Sequence, residues 1–380
     1  MRKLLMHKQI VVIGHHLVVE SYQELIQELS NKLKNKSIEL TLITPEVYKE
    51  KVITHAVTMK GASFNHIKIK TMFGKSGRQH AHFYLGIAKV LKNIKPSLIY
   101  CMEEPNSIVS VQIAYLAKKI KSPVIFWSAL NQNRNYSDLP LVDIRRYLYP
   151  WCINYTFNGS VAINALDHKV DKVIKEREYN HKVFIQNTFG VNDKFFNAKI
   201  KKSNGILKVI YVGLLEEYKG VKFLIESVNK LEGVSLDIVG DGSQLHYLKS
   251  ISSESIEFHG YLEYSKALEL MKKSDVLVLP SIPCNGYLEQ FGRVLIEAMA
   301  SGLCVIGSNI GGIGNVVNNA GFLVEHSSSK ELRDVLKMLK QDESLLYEMK
   351  TKAYQRAITC YSYKAVSNQL ADKLIEFINE

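Results

Sequence analysis

The sequence predicts an α/β protein built from two doubly wound, Rossmann-like domains with parallel sheets. Three observations predict this class: short apolar strands alternate with helical runs, the alternation occurs twice, and a polar stretch rich in Lys and Asn at 197–205 separates the two halves. Near-continuous apolar strands that alternate with helices are typical of parallel sheets buried on both faces. We therefore expect an N-terminal domain at 1–195, a C-terminal domain at 206–360 and a final helix at 361–380.

The individual strands and helices are predicted from short β-rich runs and from helical periodicity. In the first half we predict strands at 9–14, 38–44, 98–102, 123–127 and 182–186, a strand and helix within 160–170, and helices at 20–34, 81–94, 106–120 and 141–154. In the second half we predict strands at 207–213, 234–240, 256–260, 275–281 and 304–308, each followed by a helical run. Paired domains of this kind bind ligands at the carboxyl ends of their strands, so functional residues are expected directly after strands.

The composition is that of a folded protein whose charge is unevenly distributed. A chain of 380 residues with 46% hydrophobic and 23% charged residues is not largely disordered. Residues 1–190 contain 27 basic and 14 acidic side chains, whereas the remaining residues contain 22 and 23. The basic half is expected to meet an anionic partner, such as lipid headgroups, a phosphorylated acceptor or nucleic acid, unless its charge only keeps the surface soluble.

Several sequence features indicate a cytoplasmic protein that can lie on the inner face of a membrane. The five cysteines are scattered without metal-ligand spacing, no apolar run approaches a bilayer span, and the N-terminal segment reads as a strand. Basic and aromatic residues cluster in 60–95, and such surfaces bind anionic membranes; nucleic acid is not expected, because no nucleic-acid-binding motif is present. The residues of this stretch that support a membrane contact are Lys68, Lys70, Phe73, Lys75, Arg78, His80 and His82.

The motif YVGLLEEYKG (211–220) follows a predicted strand and precedes a predicted helix. Lys219 lies at or near the start of this helix, where a cation opposes the helix macrodipole. Its position is explained by an anion that binds beside it and also uses the free backbone N–H groups. The alternative is a surface lysine without a role.

The motif EQFGRVLIEAMASG (289–302) carries two carboxylates around an apolar helix. Glu289 precedes the helix, which is favourable in any protein, and Gly292 allows a close approach of the backbone to a ligand. Arg293 is a second cation in the first turn. Glu297 lies among apolar neighbours and needs partners, which are either the vicinal hydroxyls of a sugar or ribose or a buried structural salt bridge.

Polar residues also follow strands of the first half. His15 and His16 come directly after the first strand, and Glu103 and Glu104 follow the strand at 98–102. Asn131, Gln132 and Asn133 follow the strand at 123–127. The carboxyl ends of these strands are expected to face the cleft of such a fold, so we treat the residues as candidate functional residues.

The second half resembles the nucleotide-binding domain of family 4 glycosyltransferases. The resemblance is carried by YVGLLEEYKG, IVGDGSQ (238–244), IEFHGYL (256–262), DVLVLPS (275–281), EQFGRVLIEAMASG and SNIGGIGNVVNNAGFLV (308–324), in that order and spacing. It covers residues 205–380 well and the first half only in outline. It implies the GT-B architecture, in which two Rossmann-like domains enclose a cleft and a C-terminal helix crosses back to the first domain.

The resemblance also implies roles for individual residues. Glu297 would hold the ribose of a UDP- or GDP-linked sugar, Glu289 would contact the transferred sugar, and Lys219 would clamp the diphosphate. The remaining donor-binding residues would be Gly213, Leu214, Gly240, His259, Gly260, Tyr261, Gln290, Phe291, Gly292 and Arg293. From their places after strands of the first half, we add His15, His16, Glu104, Asn131 and Gln132 as candidate acceptor-binding residues. The candidate catalytic residues are then Glu289, Lys219 and His15.

The implied activity is a metal-independent, retaining transfer of a sugar, without a cofactor, to a glycan or lipid-linked acceptor of a bacterial surface polysaccharide or lipopolysaccharide. Where many relatives have a cleft histidine this chain has Asn131–Asn133, so no histidine base is expected there, and a front-face mechanism would pass the acceptor proton to the departing phosphate oxygen. Leu214 replaces the usual arginine beside the diphosphate, where Arg293, Lys75 or Arg78 could substitute. Cys304 replaces a usual proline, which we interpret as a packing change.

Two other functions remain open. A nucleotide-sugar epimerase on the same fold would need hydrolytic acid and base residues in the cleft, and the intact pair of Glu289 and Glu297 favours a transferase. A donor-binding but inactive partner subunit is compatible with the missing arginine at position 214.

Overall fold

The computed structural model describes residues 8–49, 53–76, 80–130, 135–192, 196, 200, 205–284 and 288–379. The chain divides into two compact units. The first contains residues 1–188 together with 366–380, and the second contains residues 189–365. Most of the polar stretch predicted as a linker at 197–205 lies outside the described residues.

The first unit is a doubly wound α/β structure. Its strands are β1 (Lys8–Ile13), β2 (Ile38–Pro45), β3 (Val47–Lys49), β4 (Ile53–His55), β5 (Asn65–Ile69), β6 (Thr71–Met72), β7 (Phe83–Tyr84), β8 (Leu98–Cys101), β9 (Val124–Ser128), β10 (Ala162–Ala165) and β11 (Lys182–Ile185). Its helices are α1 (Glu24–Lys34), α2 (Ile87–Ile94), α3 (Ile108–Ile120), α4 (Arg145–Gly159) and α5 (His168–Glu176). Short 3-10 turns at His16–Val18 and Glu20–Gln23 lead into α1.

Seven of these strands form one parallel sheet in the order β11-β10-β9-β8-β1-β2-β5. One face packs on α1 and on the last helix of the chain, through residues such as Leu29 and Leu370. The other face packs on α2, α3 and α4, through residues such as Leu91 and Ile113. The apolar strands are therefore buried on both faces, as the near-continuous hydrophobic runs predict.

The second unit has the same architecture. Its strands are β12 (Leu207–Val212), β13 (Val234–Val239), β14 (Ile256–Gly260), β15 (Val276–Leu279), β16 (Cys304–Ser308) and β17 (Phe322–Val324). Its helices are α6 (Val221–Val228), α7 (Leu245–Ser250), α8 (Tyr264–Met271), α9 (Arg293–Ala300), α10 (Ile313–Val317), α11 (Ser329–Gln341) and α12 (Glu343–Arg356). These six strands form a parallel sheet in the order β14-β13-β12-β15-β16-β17.

The last helix, α13 (Tyr363–Asn379), follows α12 and a π-helical turn at Ala357–Tyr361. Residues 366–379 of α13 belong to the first unit, where Leu370, Ala371 and Leu374 are buried in the core beside α1. Among the described residues, no helix is both long and apolar enough to cross a membrane.

The predicted class of two doubly wound parallel sheets is confirmed, and one helix prediction is wrong in part. The helix predicted at 81–94 begins only at Ile87, because Phe83–Tyr84 forms a strand that pairs with Thr71–Met72. Gly86 lies in the left-handed region at φ 84°, which separates this strand from the helix. Helical periodicity did not reveal a hairpin whose partner strand lies eleven residues earlier in the chain.

Candidate functional site

In each sheet there is one position from which the strands are added first on one side and then on the other side. In the first unit the chain proceeds from β1 to β2 on one side and to β8 on the other. In the second unit the corresponding point lies between β12 and β15. Ligands of open parallel sheets bind at such switch points, outside the carboxyl ends of the strands. In both units the structure places an ion pair from the predicted site residues at this point.

In the second unit the pair consists of Lys219, which follows β12, and Glu289, which follows β15. Lys219 Nζ lies 2.5 Å from Glu289 Oε2, and the two side chains are only 14% and 13% exposed. Ser281 Oγ donates to the same carboxylate oxygen at 3.3 Å. Lys219 ends a 3-10 turn two residues before α6 and therefore does not lie within that helix. The structure thus joins two residues that lie seventy positions apart.

Glycines lie where the backbone segments that carry Lys219 and Glu289 pack closely against other parts of the second unit. Gly220 adopts φ 64°, and a Cβ atom there would lie 2.1 Å from the carbonyl oxygen of Pro280. Gly311 and Gly312 pack directly on the segment that bears Glu289: added Cβ atoms would lie 1.9 Å from Glu289 O and 2.0 Å from Gln290 O. Gly312 N also donates to Glu289 O at 2.8 Å. Larger residues at these positions would displace the Glu289 backbone.

Glu297 lies in the second turn of α9, with 16% of its side chain exposed. Tyr264 Oη donates to Glu297 Oε1 at 3.3 Å, and Arg293 lies 3.8 Å from the same oxygen. Burial raises the pKa of the Glu297 carboxyl, against the opposing effects of Arg293 and Tyr264. The carboxylate therefore has protein partners at one oxygen and some remaining access to solvent. The helix begins at Arg293, directly after Gly292, so Arg293 lies in its first turn as predicted.

The segment between the two glutamates is fixed by aromatic packing. Phe291 is buried against Phe189 at a ring distance of 4.9 Å and against Tyr361 at 5.9 Å. Gly292 adopts φ 80° and would place a Cβ atom 2.8 Å from Leu279. This segment is therefore held on both sides, which is the rigidity that a binding site requires.

The other predicted donor residues lie at the carboxyl ends of β12, β13 and β14. Gly240 N donates to Gly260 O at 2.8 Å, and a Cβ atom on Gly240 would lie 1.8 Å from Gly213 O. Leu214 is exposed, and its carbonyl oxygen accepts from Tyr211 Oη. The His259 ring bonds Asp237 through Nε2 at 2.7 Å, and the Tyr261 side chain is exposed. These residues line the same edge of the sheet as Lys219.

In the first unit the corresponding pair consists of His15, which follows β1, and Glu103, which follows β8. His15 Nδ1 lies 2.6 Å from Glu103 Oε2, and the His15 backbone N–H donates to Glu103 Oε1 at 2.7 Å. His82 Nε2 lies 3.5 Å from Oε1, and both Glu103 and His82 are buried. Although burial alone would raise it, the charges of His15 and His82 hold the pKa of Glu103 well below its usual range.

Glu104 points to a different neighbour. Its carboxylate accepts from Ala129 N at 2.8 Å and from Ser128 Oγ at 3.0 Å, which ties the end of β8 to the end of β9. Burial raises its pKa to about 7, with a contribution from the Glu103 charge. His16 forms an edge contact with the His15 ring at 5.7 Å. The predicted acceptor residues Asn131 and Gln132, together with Asn133 and Arg78, lie outside the described residues.

Sequence reasoning missed several partners in these sites. Ser281, Gly311 and Gly312 lie within motifs that carry the resemblance and Tyr264 does not, but the contacts of all four depend on tertiary folding and no motif shows them. Glu103 was recognised only as a residue after a strand, and its buried partner His82 was assigned to a surface contact. Three of the lysines from which we predicted a membrane contact are nevertheless exposed, namely Lys68, Lys70 and Lys75.

Two groups of side chains have the composition of metal ligands. They are His15, His82 and Glu103 in the first unit and Asp237, Glu257 and His259 in the second. In the first group the 2.6 Å separation of His15 Nδ1 and Glu103 Oε2 is that of a charge-assisted hydrogen bond. In the second group Glu257 is largely exposed. The second group likewise contains one short hydrogen bond, between His259 Nε2 and Asp237 Oδ1 at 2.7 Å.

Comparisons with known proteins agree with the geometry of the second unit. Residues 192–356 match the family model described as "Glycosyl transferases group 1". The glycogen synthase of Mycobacterium tuberculosis is 35% identical over 131 residues, which are 32% of this chain and 30% of that protein. The amylovoran biosynthesis glycosyltransferase AmsK of Erwinia amylovora is 26% identical over 198 residues, 49% of each chain. This chain thus spans less than half of the length of these curated relatives.

Solved structures agree over nearly the whole chain. A glycosyltransferase from Rickettsia africae superposes with a TM-score of 0.69 at 17% identity, covering 99% of this chain and 100% of that one. Anabaena HepE in complex with UDP superposes with a TM-score of 0.66 at 16% identity, covering 97% and 100%. At these identities the likeness shows the fold, which is the GT-B architecture of two Rossmann-like units.

Proposed function

We propose that this protein is a glycosyltransferase that moves a sugar from a nucleotide-sugar donor to a glycan or lipid-linked acceptor of a bacterial surface polysaccharide. The observation that carries the proposal is the pairing of Lys219 with Glu289 at the switch point of the second unit. It gives one cation for a diphosphate and one carboxylate for sugar hydroxyls, both on glycine-supported backbone. The family match over residues 192–356 supports the same chemistry.

The donor is held by five groups in this proposal. Lys219 binds the diphosphate. The N-terminus of α9, beside Phe291 and Gly292, also favours binding of this anion. Glu289 accepts hydrogen bonds from the transferred sugar, and Glu297 accepts them from the ribose. Arg293 lies 3.8 Å from Glu297 and supplies a second positive charge where Leu214 offers none. A UDP- or GDP-linked donor fits this set; HepE was solved with UDP.

The reaction in this proposal is a metal-independent transfer with retention of the anomeric configuration. Lys219 and the α9 N-terminus stabilise the charge that develops on the departing diphosphate, which is the main contribution a site without a metal can make. His15, His16 and Glu104 lie at the switch point of the first unit and contact the acceptor. Asn131 and Gln132 complete the proposed acceptor site.

Donor binding is expected to depend on Glu297. A donor present at about 100 times its Kd should stabilise the wild-type protein by about 2.7 kcal/mol. We expect one member of a panel of UDP-, GDP-, ADP- and CMP-sugars to do so in thermal-shift and calorimetric titrations. Glu297→Ala should lose this stabilisation, because the ribose hydroxyls lose their acceptor.

The matched control for that titration is Glu263→Ala, at an exposed glutamate just before α8 to which the proposal assigns no contact with the donor. It should bind the donor as the wild type does. A panel in which no donor stabilises the wild type, or in which Glu297→Ala binds with unchanged affinity, would contradict the proposed donor site.

The same proposal includes a contact with an anionic membrane through residues 60–95. Strands β6 and β7 pair Met72 with Phe83, and both side chains are exposed together with Phe73 and Leu85. Exposed lysines lie in the same part of the sequence, namely Lys68, Lys70, Lys75, Lys89 and Lys92. An apolar patch within a basic surface matches the interface of an anionic bilayer, where a lipid-linked acceptor would be presented.

Charge reversal is expected to weaken this membrane contact. Each basic residue near an anionic surface contributes about 1 kcal/mol to membrane binding. The double variant Lys68→Glu with Lys70→Glu should therefore bind phosphatidylglycerol vesicles with an affinity lower by a factor of about ten or more. Sedimentation with vesicles measures this, with phosphatidylcholine vesicles as the uncharged reference. Lys169→Glu with Lys172→Glu places the same charge change on exposed positions of α5 and should have little effect. Equal losses in both double variants would indicate a general charge effect and no defined contact.

A further inference from the structure

We propose that residues 141–151, the turn before α4 and the first two turns of that helix, insert into the interface of an anionic lipid bilayer. We call this segment the apolar wedge. It adds a hydrophobic contact to the electrostatic one proposed for residues 60–95, and it rests on the proposed function, in which the acceptor is presented at a membrane. The whole segment belongs to the first unit.

The apolar wedge exposes large hydrophobic side chains over a short stretch of chain. Leu141, Val142 and Ile144 are 72%, 96% and 70% exposed. Tyr147 and Trp151 follow in α4 with 58% and 53% exposure. None of residues 141–151 is buried, whereas the rest of α4 buries Cys152, Ile153, Thr156 and Phe157. The fold therefore covers the end of α4 and leaves its start uncovered, and an exposed apolar surface of this kind marks an interaction site.

The charged groups of the wedge have partners within the segment or directly before it. Arg146 Nη1 donates to the carbonyl oxygens of Ser137 and Leu139. Asp143, the one acidic residue in the range 139–159, accepts from Arg145 Nε at 2.9 Å. Polar groups that enter an apolar medium without partners cost free energy. These contacts lower that cost when the wedge leaves water.

A bilayer interface suits the wedge better than a protein partner does. At 96% exposure Val142 has almost no neighbours, so it projects from the surface and needs no matching groove in order to leave water. Tyr147 and Trp151 combine an apolar ring with a polar atom, and such residues are enriched where hydrocarbon meets lipid headgroups. Residues 1–190 contain 27 basic and 14 acidic side chains, an excess that complements anionic lipids.

A ring contact links the wedge to the stretch at 60–95. The Tyr149 ring lies 5.6 Å from the His80 ring between centroids, and the exposed Phe83 follows His80 in β7. The two surfaces nevertheless bind lipid for different physical reasons. The attraction between lysines and anionic headgroups is screened by salt, whereas the gain from removing apolar side chains from water does not depend on that screening. Salt therefore separates the two contacts in an experiment.

The first test is sedimentation with phosphatidylglycerol vesicles at about 1 M salt, where the Debye length is about 3 Å. The wild type should still bind. Leu141→Ser with Val142→Ser should lower the affinity by a factor of about ten to a hundred, because two aliphatic side chains no longer leave water. Val161→Ser with Ile185→Ser, at exposed aliphatic positions elsewhere on the first unit, is the control and should bind as the wild type does.

Two results of this experiment would overturn the proposal. One is a wild type that does not bind vesicles at high salt, and the other is an equal affinity for the wedge variant and the control. The experiment needs neither donor nor acceptor, so the wedge can fail while the donor site stands. A failed donor titration would likewise leave the vesicle result readable.

The second test uses the fluorescence of Trp151. The chain has two tryptophans, and the other, Trp127, is partly buried in β9. With vesicles the emission of the wild type should move to shorter wavelength and be quenched by brominated lipids. Trp151→Phe should still bind but show neither change. A shift that persists in Trp151→Phe, or vesicle-bound wild type without a shift, would overturn the proposal.

Sedimentation velocity without vesicles decides whether a second copy of the chain covers the wedge. We expect the wild type and the double variant Leu141→Ser with Val142→Ser to sediment alike. A wild-type dimer that dissociates in the double variant would assign the wedge to self-association and overturn the membrane proposal.

Discussion

Replacing Lys219 with methionine is expected to lower the turnover of the donor by about 100- to 1,000-fold, the usual cost of losing one group that stabilises charge in a transition state. Lys219 is the cation that the structure places at the switch point of the second unit, 2.5 Å from Glu289. The diphosphate gains negative charge as the sugar departs, and methionine offers no compensation. Release of nucleoside diphosphate under donor saturation measures this effect.

The same substitution also affects folding, and the two effects can be separated. Lys219→Met leaves the Glu289 carboxylate without its ion-pair partner in a poorly exposed site, which is destabilising. The double variant Lys219→Met with Glu289→Gln removes both charges and should recover most of the lost thermal stability while turnover stays low. Lys230→Met, on an exposed position after α6, is the matched control. Turnover that returned with stability in the double variant would show that Lys219 serves the fold only.

Replacing Lys350 with methionine is expected to destabilise the second unit by about 3–5 kcal/mol, the effect of removing one partner from a buried ion pair. Lys350 in α12 is 3% exposed, and its Nζ lies 2.6 Å from Asp275 Oδ1. The other oxygen of Asp275 accepts from Lys208 N at 3.0 Å. This carboxylate therefore ties α12 to the starts of β12 and β15, and methionine would leave its negative charge without the ammonium group that neutralises it.

Thermal unfolding measures the loss at Lys350. For a unit of this size 1 kcal/mol corresponds to about 2–4 °C in Tm, so the expected fall is roughly 10 °C. Lys352→Met is the control on the same helix, because Lys352 pairs with Glu348 on the exposed surface. Its effect should stay within about 0.5 kcal/mol. Equal shifts for both variants would show that the buried pair contributes no more than a surface pair.

The fold could be predicted because its signals are local. Most strands of the two large sheets are short apolar runs, and most crossovers between strands carry helical periodicity. An exception is β5, which contains Asn65, His66 and Lys68. The short strands β3, β4, β6, β7 and β17 were not predicted, since runs of two or three residues have no period of their own. The hairpin of β6 and β7 depends on pairing between two separate short segments, and a short window of sequence does not contain both of them.

The site could be predicted only in part, because a motif indicates functional residues but does not show which side chains they contact. Lys219 and Glu289 were identified from separate motifs, and only folding shows that they form one ion pair. Glu103 and Glu104 are adjacent and chemically identical, yet one faces His15 and the other faces Ala129. Both residues lie after the end of β8, so their neighbours there depend on which strands lie beside it.

The central claim is that the second unit is an active donor site, and nucleoside diphosphate release from the donor identified by titration tests it most directly. The account predicts release by the wild type that is faster with an acceptor-containing membrane fraction and is greatly reduced in Lys219→Met. A donor that binds tightly and is never turned over, with or without membranes, would contradict it. That result would identify the chain as a donor-binding partner subunit, as the leucine at position 214 permits.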